Sequence, residues 1–386
     1  MTEEESTVSR KFCSWVSANR SDASRRRALR WMQLCVTGFV SIVIVVVMWC
    51  DWSSPLPATY LGSERSYPPA MNTTHINGKP MERVVTNYTN NIFFTVKTSM
   101  KNYRKRLTLL MLTWFQVVDK NKVAVISDSL KAGQLYVSTI RDAGFNLILS
   151  NCSNMHSAEA LCCKSGAEFG AYYEAVKKHN ENKERYQWFC HVDDDVYVNV
   201  PRLSQLLQQY DPHKPYYIGK WPWVAHHNHS FTKLNSVRLH RIRSMNYPIK
   251  ANTFKYATGS TYCLSHALMM EAKQFFNGKD NFYASCRLAL FTDDIAIGLI
   301  IGVILGYNLT DVNDFHNQYD DMASTSVEEI SKYITVGYQM KLKDEVKVYY
   351  NTIPIQSPFV KDSTKFMAYH CLLYPSVSWC PRHLPF

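Results

Sequence analysis

The apolar positions form one long unbroken block and, beyond it, a succession of short ones. Trp31 to Cys50 reads WMQLCVTGFVSIVIVVVMWC, 20 residues without a charge. At ~1.5 Å rise per residue a helix of that length crosses a hydrocarbon core of roughly 30 Å. A cleaved signal peptide would have a shorter apolar region, a small-residue cleavage site and a start nearer Met1, so the block predicts a retained anchor. From Asp51 to Asn90, Ser, Pro, Thr and Asn prevail without an apolar period, the pattern of a stem.

From Asn91 onward short apolar blocks alternate in kind. Ile92–Val96, Lys122–Ile126, Leu147–Leu149, Tyr186–Val192 and Tyr216–Ile218 predict strands. Leu107–Val118, His156–His179 and Pro201–Tyr210, the last with Pro in its first turn, predict helices. Such alternation predicts an α/β fold, a sheet flanked by helices, with ligands at the C-terminal edge of its strands. The chain then divides into a tail (1–30), a span (31–50), a stem (51–90) and an ordered domain (91–386). No internal repeat interrupts it.

Charge orients the span. Arg25, Arg26, Arg27 and Arg30 precede it and Asp51 follows. The positive-inside rule therefore places the N-terminus in the cytosol and everything beyond Asp51 in a lumen or outside the cell. Acceptor sequences for N-glycosylation begin at Asn72, Asn87, Asn151, Asn228 and Asn308, and they matter only in that compartment. Eight cysteines lie beyond the span, an even number suited to disulfides, although spacing alone leaves their connectivity open. No CxxC pair supports a zinc site. The formal net charge of +11 permits an anionic substrate or membrane surface. Nucleic acid is set aside as a partner, because the basic domain faces the lumen.

Two acidic motifs carry the candidate chemistry. In WFCHVDDD, Trp188 to Asp195, an apolar strand runs into three consecutive carboxylates. A solvated acidic turn is the plain alternative. A hard divalent cation, Mg²⁺ or Mn²⁺, would screen them and neutralise a departing diphosphate. The second motif is TDDIAIGLI, Thr292 to Ile300, with Thr292 as candidate N-cap and Asp293 and Asp294 in the first helical turn. These two either complement the helix dipole or supply a general base. The apolar run from Ile295 to Leu305 is too short for a membrane span and predicts a buried helix.

FFTVKT (93–98), RLTLLMLTWF (106–115), NCSNMHSAEALCCK (151–164), WFCHVDDDVYVNV (188–200), DDIAIG (293–298) and HCLLYPSVSWCPR (370–382) together resemble the Fringe family. Those enzymes are O-fucosylpeptide β-1,3-N-acetylglucosaminyltransferases acting on EGF repeats of Notch receptors. The resemblance covers about Asn91 to Phe386, the catalytic domain. It implies a GT-A type fold with a Rossmann-like mixed sheet, a UDP-GlcNAc donor, Mn²⁺ and inversion at the anomeric carbon, in a single-pass type II Golgi membrane protein. It implies metal binding by Asp195, donor contacts from Arg106 and Asp194, and a place near the nucleotide for Asp128. Asp294 matches the base that deprotonates the fucose 3-hydroxyl. The implied disulfides are Cys152 with Cys163, Cys190 with Cys263, and Cys371 with Cys380, which leaves Cys162 and Cys286 either free or paired.

Three segments depart from that pattern. Where the family carries a second His as metal ligand, this chain has Gln318 in Phe315-His316-Asn317-Gln318, so the ligand is His316 after a small shift, the Gln318 oxygen, or weaker than in the family. The family's glycine-rich stretch becomes Ala257-Thr258-Gly259-Ser260-Thr261-Tyr262-Cys263, with side chains where the family presents bare backbone, which bears on sugar or acceptor choice. Trp221 to Phe254, containing His226, His227, His229, Lys233, Arg238, His240, Arg241 and Arg243, reads as a solvated loop or an acceptor-recognition lid. Two further readings stay open: a related β-1,3-galactosyltransferase, and a catalytically weakened lectin-like or partner-binding member.

Overall fold

A computed structural model describes residues 91–128, 140–179, 186–222, 232–289 and 292–381, apart from 319, 338, 344, 345, 351, 352, 360 and 361. It also pairs His75–Ile76 with Lys79–Pro80, antiparallel. The expected tail and span, and the acceptor sequences at Asn72, Asn87 and Asn228, lie outside the described residues. Among the described residues no helix is long and apolar enough to cross a membrane.

The elements that position the site are β1 (Ile92–Lys97), β2 (Val123–Ser127), β3 (Asn146–Leu149), α1 (Ala158–His179), β4 (Trp188–Asp193), β5 (Val196–Val198), α2 (Val200–Leu207), β6 (Tyr217–Gly219), β7 (Thr261–Ser265), α3 (Lys279–Ala289), α4 (Asp293–Leu299), β8 (Leu309–Asp311) and β9 (Thr335–Gly337). Seven strands form one mixed sheet in the order β8-β6-β7-β4-β1-β2-β3. β4, β1, β2 and β3 run parallel, and β7 is antiparallel to both of its neighbours. β5 pairs antiparallel with β9 in a separate two-stranded ribbon.

The central strands are buried along their whole length, as expected where both faces of a parallel sheet are covered. Ile92, Phe94 and Val96 point into one core cluster with Trp114 and Phe115, while Phe93 points into the other with Phe169 and Phe189. Ser157 starts α1 by accepting the Ala160 N–H at 3.2 Å.

The helix expected over Leu107–Val118 is different in detail. Helical backbone begins at Met100, passes through a π-turn at Tyr103–Leu107 and an α-helix at Thr108–Leu112, and breaks at Thr113 before a 3₁₀ turn at Trp114–Val117. Thr113 leaves helical geometry at φ −120°, ψ −113° while its hydroxyl donates back to the Leu109 carbonyl at 2.6 Å. α4 continues as a π-helix from Ile300 to Leu305, buried as expected except for its last residue, and ends at Gly306 with φ +83°.

Four disulfides tie the domain: Cys152–Cys163, Cys162–Cys286, Cys190–Cys263 and Cys371–Cys380. The second joins α1 to α3 and accounts for the two cysteines the family resemblance left over. In the basic segment, residues 223–231, with His226, His227 and His229, lie outside the described residues. The described remainder is no solvated loop throughout: Asn235 caps a helix at Ser236–Ser244, and Arg238 is fully buried, donating to the carbonyls of Ala289 and Lys233.

Candidate active site

The C-terminal ends of β1 and β4 and the N-terminal end of the antiparallel β7 share one edge of the sheet. Three chain segments meet there, two of them bringing charge. β1 ends in Lys97, β4 runs into Asp193, Asp194 and Asp195, and the residues just before β7 carry Gly259. α4 starts at the same edge, since the Asp294 carboxylate lies within 4 Å of where a Gly259 side chain would begin.

Lys97 and Arg106 divide the acids between them. Lys97 Nζ lies 2.8 Å from Asp293 and 3.6 Å from Asp193. Burial alone would lower the Lys97 pKa, but Asp193, Asp293 and Glu168 outweigh it and hold the ammonium charged. Arg106 donates to Asp194 at 2.8 Å and to Asp195 at 3.1 Å. Asp194 is saturated, because its other oxygen accepts from Thr98 at 2.6 Å and Asn102 at 2.8 Å.

Asp128 closes this network from below. It is buried and accepts from Ser99 Oγ, the Met100 N–H and Lys164, and Lys164 also donates to the Thr98 carbonyl. Arg106, Asp128, Asp194 and Asp195 thus belong to one continuous system. Within it Asp128 orders the turn that follows β1, and both of its oxygens are engaged.

The DD pair is split by its surroundings. Burial alone would raise Asp293, but Lys97 and the Ser165 hydroxyl, which donates at 2.6 Å, outweigh it and hold the carboxyl at about 2. Asp294 is partly exposed, and burial together with the Asp293 charge pushes it up to about 6 against the pull of Thr292 and the Ile295 N–H. Thr292 occupies the expected N-cap position with extended backbone, but its side chain makes no capping bond: its hydroxyl donates to Asp294 Oδ1 at 2.5 Å, and that same oxygen accepts the Ile295 N–H at 2.8 Å. Two adjacent carboxyls driven apart in this way can divide roles, one fixed as an anion and one poised to take a proton.

His191, unremarked in the sequence reading, holds the base-side loop. Burial lowers its pKa, but Glu168 more than compensates and brings it to about 9. Protonated, it donates from Nδ1 to Glu168 and from Nε2 to the Gly259 carbonyl, each at 2.8 Å. Its only sequence signal is a polar residue inside an otherwise apolar strand.

For a cation the fit rests on lone-pair atoms left without a hydrogen bond. Asp195 Oδ1, His316 Nδ1 and Gln318 Oε1 are buried without a hydrogen-bond partner. Burial and then the neighbouring Asp193 and Asp194 push Asp195 up to about 7 despite Arg106. Among the described residues there is no group of three His, Cys, Asp or Glu that could hold a metal, so a hard cation here would be held by few protein atoms, with waters and a diphosphate completing its shell. Register favours the Gln318 oxygen over His316. β9 sets Gly337 opposite Val196 and Thr335 opposite Val198. The Asn317–Gln318 peptide lies against Gly337, where a Cβ would come within 2.9 Å of it, whereas the His316 N–H bonds to Thr335. By that register Gln318 is nearer than His316 to the start of β5, which Asp195 immediately precedes. His316 is two residues further along, stacked on Tyr333 and 3.5 Å from Asp320.

A family model described as Fringe-like matches residues 87–377. The β-1,3-N-acetylglucosaminyltransferase lunatic fringe of Gallus gallus is 30% identical over 296 residues, 76% of this chain and 72% of that protein. Its Danio rerio counterpart is 32% identical over 305 residues, covering 76% and 71%. The Fringe glycosyltransferase of Drosophila melanogaster is 32% identical over 292 residues, covering 75% and 63%. Among solved structures, the galactosyltransferase LgtC in complex with donor and acceptor sugar analogs is similar over 75% of this chain and 97% of that one, at 10% identity and a TM-score of 0.37.

Proposed function

Because the chain belongs to the Fringe-like family of glycosyltransferases, we propose that it transfers N-acetylglucosamine from UDP-GlcNAc, with inversion, to the 3-hydroxyl of O-linked fucose on EGF-like repeats. The observation that carries this reading is the split of Asp293 and Asp294 beside the Arg106–Asp194–Asp195 network. In this reading the mixed sheet is a GT-A fold, and Asp294 Oδ2, the oxygen left open toward Gly259, takes the proton from the attacking hydroxyl. Lys97 keeps Asp293 ionised, and that charge keeps Asp294 basic enough for the task.

On the donor side Arg106 faces the diphosphate and Asp194 fixes its guanidinium, while Asp128 holds the turn from Ser99 to Asn102 in place. Asp195 and Gln318 would hold Mn²⁺ or Mg²⁺, which when bound neutralises the departing diphosphate. The protein is a type II Golgi membrane protein anchored by residues 31–50, with its catalytic domain luminal.

A second reading, a weakened partner-binding member, has one observation in its favour: Gln318 stands where a stronger ligand would complete the cation site. The full chain in detergent, given Mn²⁺ and a panel of UDP-sugars with O-fucosylated EGF repeats, separates the readings. Incorporation of GlcNAc in β-1,3 linkage supports the first. Preference for UDP-galactose would change the donor, and no transfer to any fucoside would leave the second.

A further inference from the structure

Away from the acidic cluster, a concavity of about 630 Å³ has Trp221, Lys233, Phe254, Lys255, Asn308 and Leu309 in its lining. Two registers fix its position. Across the sheet, the order β8-β6-β7-β4 places Leu309 in β8 and Trp221 just past β6 on the opposite side of β7 from Asp193, Asp194 and Asp195. Along α4 and its continuation, Gly302 lies against Phe254, Gly298 against Tyr256 and the Lys255 carbonyl, and Asp294 against Gly259. Residues 254–259 therefore run along the helix from the concavity to Asp294. The eight residues from Asp294 to Gly302 correspond to roughly 12 Å at ~1.5 Å per residue.

A donor held on the Arg106 and Asp195 side leaves this side of Asp294 to the acceptor. The chemistry of the concavity is specific. Lys255 Nζ sits 4.1 Å over the Trp221 ring, and the Trp221 backbone N–H is held by Asp311 at 2.9 Å. Lys233 and Lys255 are exposed, and the described lining residues include no carboxylate. A concavity with Lys255 over the Trp221 indole and Lys233 in the same lining suits a short peptide segment bearing a carboxylate. A fucose hydroxyl alone would use none of it.

We propose that this concavity is a subsite for the polypeptide part of the acceptor, taking an acidic residue within about four positions of the glycosylated one, the reach of ~3.3 Å per extended residue over that distance. It rests on the transfer reaction proposed above and adds to it the feature by which a glycoprotein is told from a free fucoside.

The test uses the full chain with Lys255→Glu and, separately, Trp221→Ala, assayed on an O-fucosylated EGF repeat and on p-nitrophenyl fucoside. KM for the repeat should rise about tenfold in each variant, with KM for UDP-GlcNAc and turnover of the small fucoside unchanged. For Lys255→Glu the difference should shrink at high salt. An unchanged KM for the repeat, or an equal loss on both acceptors, would overturn the subsite. Asn308, at the rim, begins a glycosylation acceptor sequence. If the chain's own glycan filled the concavity, Asn308→Gln would lower the repeat KM, which would also overturn peptide docking. Failure of the wild-type chain to turn over either acceptor would instead remove the reaction itself.

Discussion

Lys97 Nζ and Asp293 Oδ2 are 2.8 Å apart across 196 residues of sequence, and both side chains are more than nine-tenths buried. That pair joins the end of β1 to the start of α4 and places the two acidic motifs around one ammonium. A buried pair is costly to break from one side, because the remaining charge stays desolvated. Lys97→Met should therefore lower unfolding free energy by about 3–5 kcal/mol, read by urea denaturation near pH 7. Since the folded-state pKa of Asp293 is depressed, its contribution is present at neutral pH and lost as pH falls toward about 2. A wild-type chain no more stable than Lys97→Met at pH 7 would refute the pairing.

Asp294 should show itself in the pH profile. A base held at about 6 is protonated below that value, so kcat should climb with pH through about 6 and then level off. Asp294→Asn should lower kcat by about 10²–10⁴-fold while UDP affinity stays the same. Asp293→Asn removes the neighbouring negative charge and should shift the acidic limb to lower pH. An acidic limb that stays in place in that variant would assign the titration to another group.

What the sequence made legible and what it hid follow physical lines. β1, β2 and β4 were readable because strands buried on both faces are mostly apolar, and α1 because its 22 residues contain neither Pro nor a cluster of turn residues. The break at Thr113 was hidden, since neither Gly nor Pro marks it. Lys97 and Ser165 escaped notice because their partner Asp293 is remote in sequence and only the sheet order brings them together. The burial of Arg238 was equally hidden: an arginine in a basic helix reads as solvated until the carbonyls of Ala289 and Lys233 turn toward it.

The Cys162–Cys286 bond closes a loop 124 residues long between α1 and α3, which already pack closely. Crosslinks of this kind restrict the unfolded chain, typically by about 2–4 kcal/mol. Replacing both cysteines with serine, so that no stray thiol remains, should cost about that much stability in thermal or urea melts. Transfer should continue in the folded protein, because α1 still presents Ser165 and Lys164 to the site. A double variant as stable as the parent would show that the bond is not formed.

The choice between Gln318 and His316 turns on one glycine. Gly337 lets the Asn317–Gln318 peptide pack against β9 at the position paired with Val196, adjacent to Asp195, whereas His316 is engaged with Tyr333 and faces Asp320. Titration of the full chain with Mn²⁺ in the presence of UDP, followed by paramagnetic resonance of the free ion, reads the difference without requiring turnover. Gln318→Ala should weaken the ion by about tenfold or more, and Gln318→His should tighten it, because imidazole is the better donor. His316→Ala should change affinity little. Gly337→Ala should imitate Gln318→Ala, since a methyl group there meets the Asn317–Gln318 peptide at under 3 Å and displaces Gln318 with it. Strong loss from His316→Ala with none from Gln318→Ala would mean that the segment shifts by two residues on binding the ion, and the register seen here would not be the one that holds it.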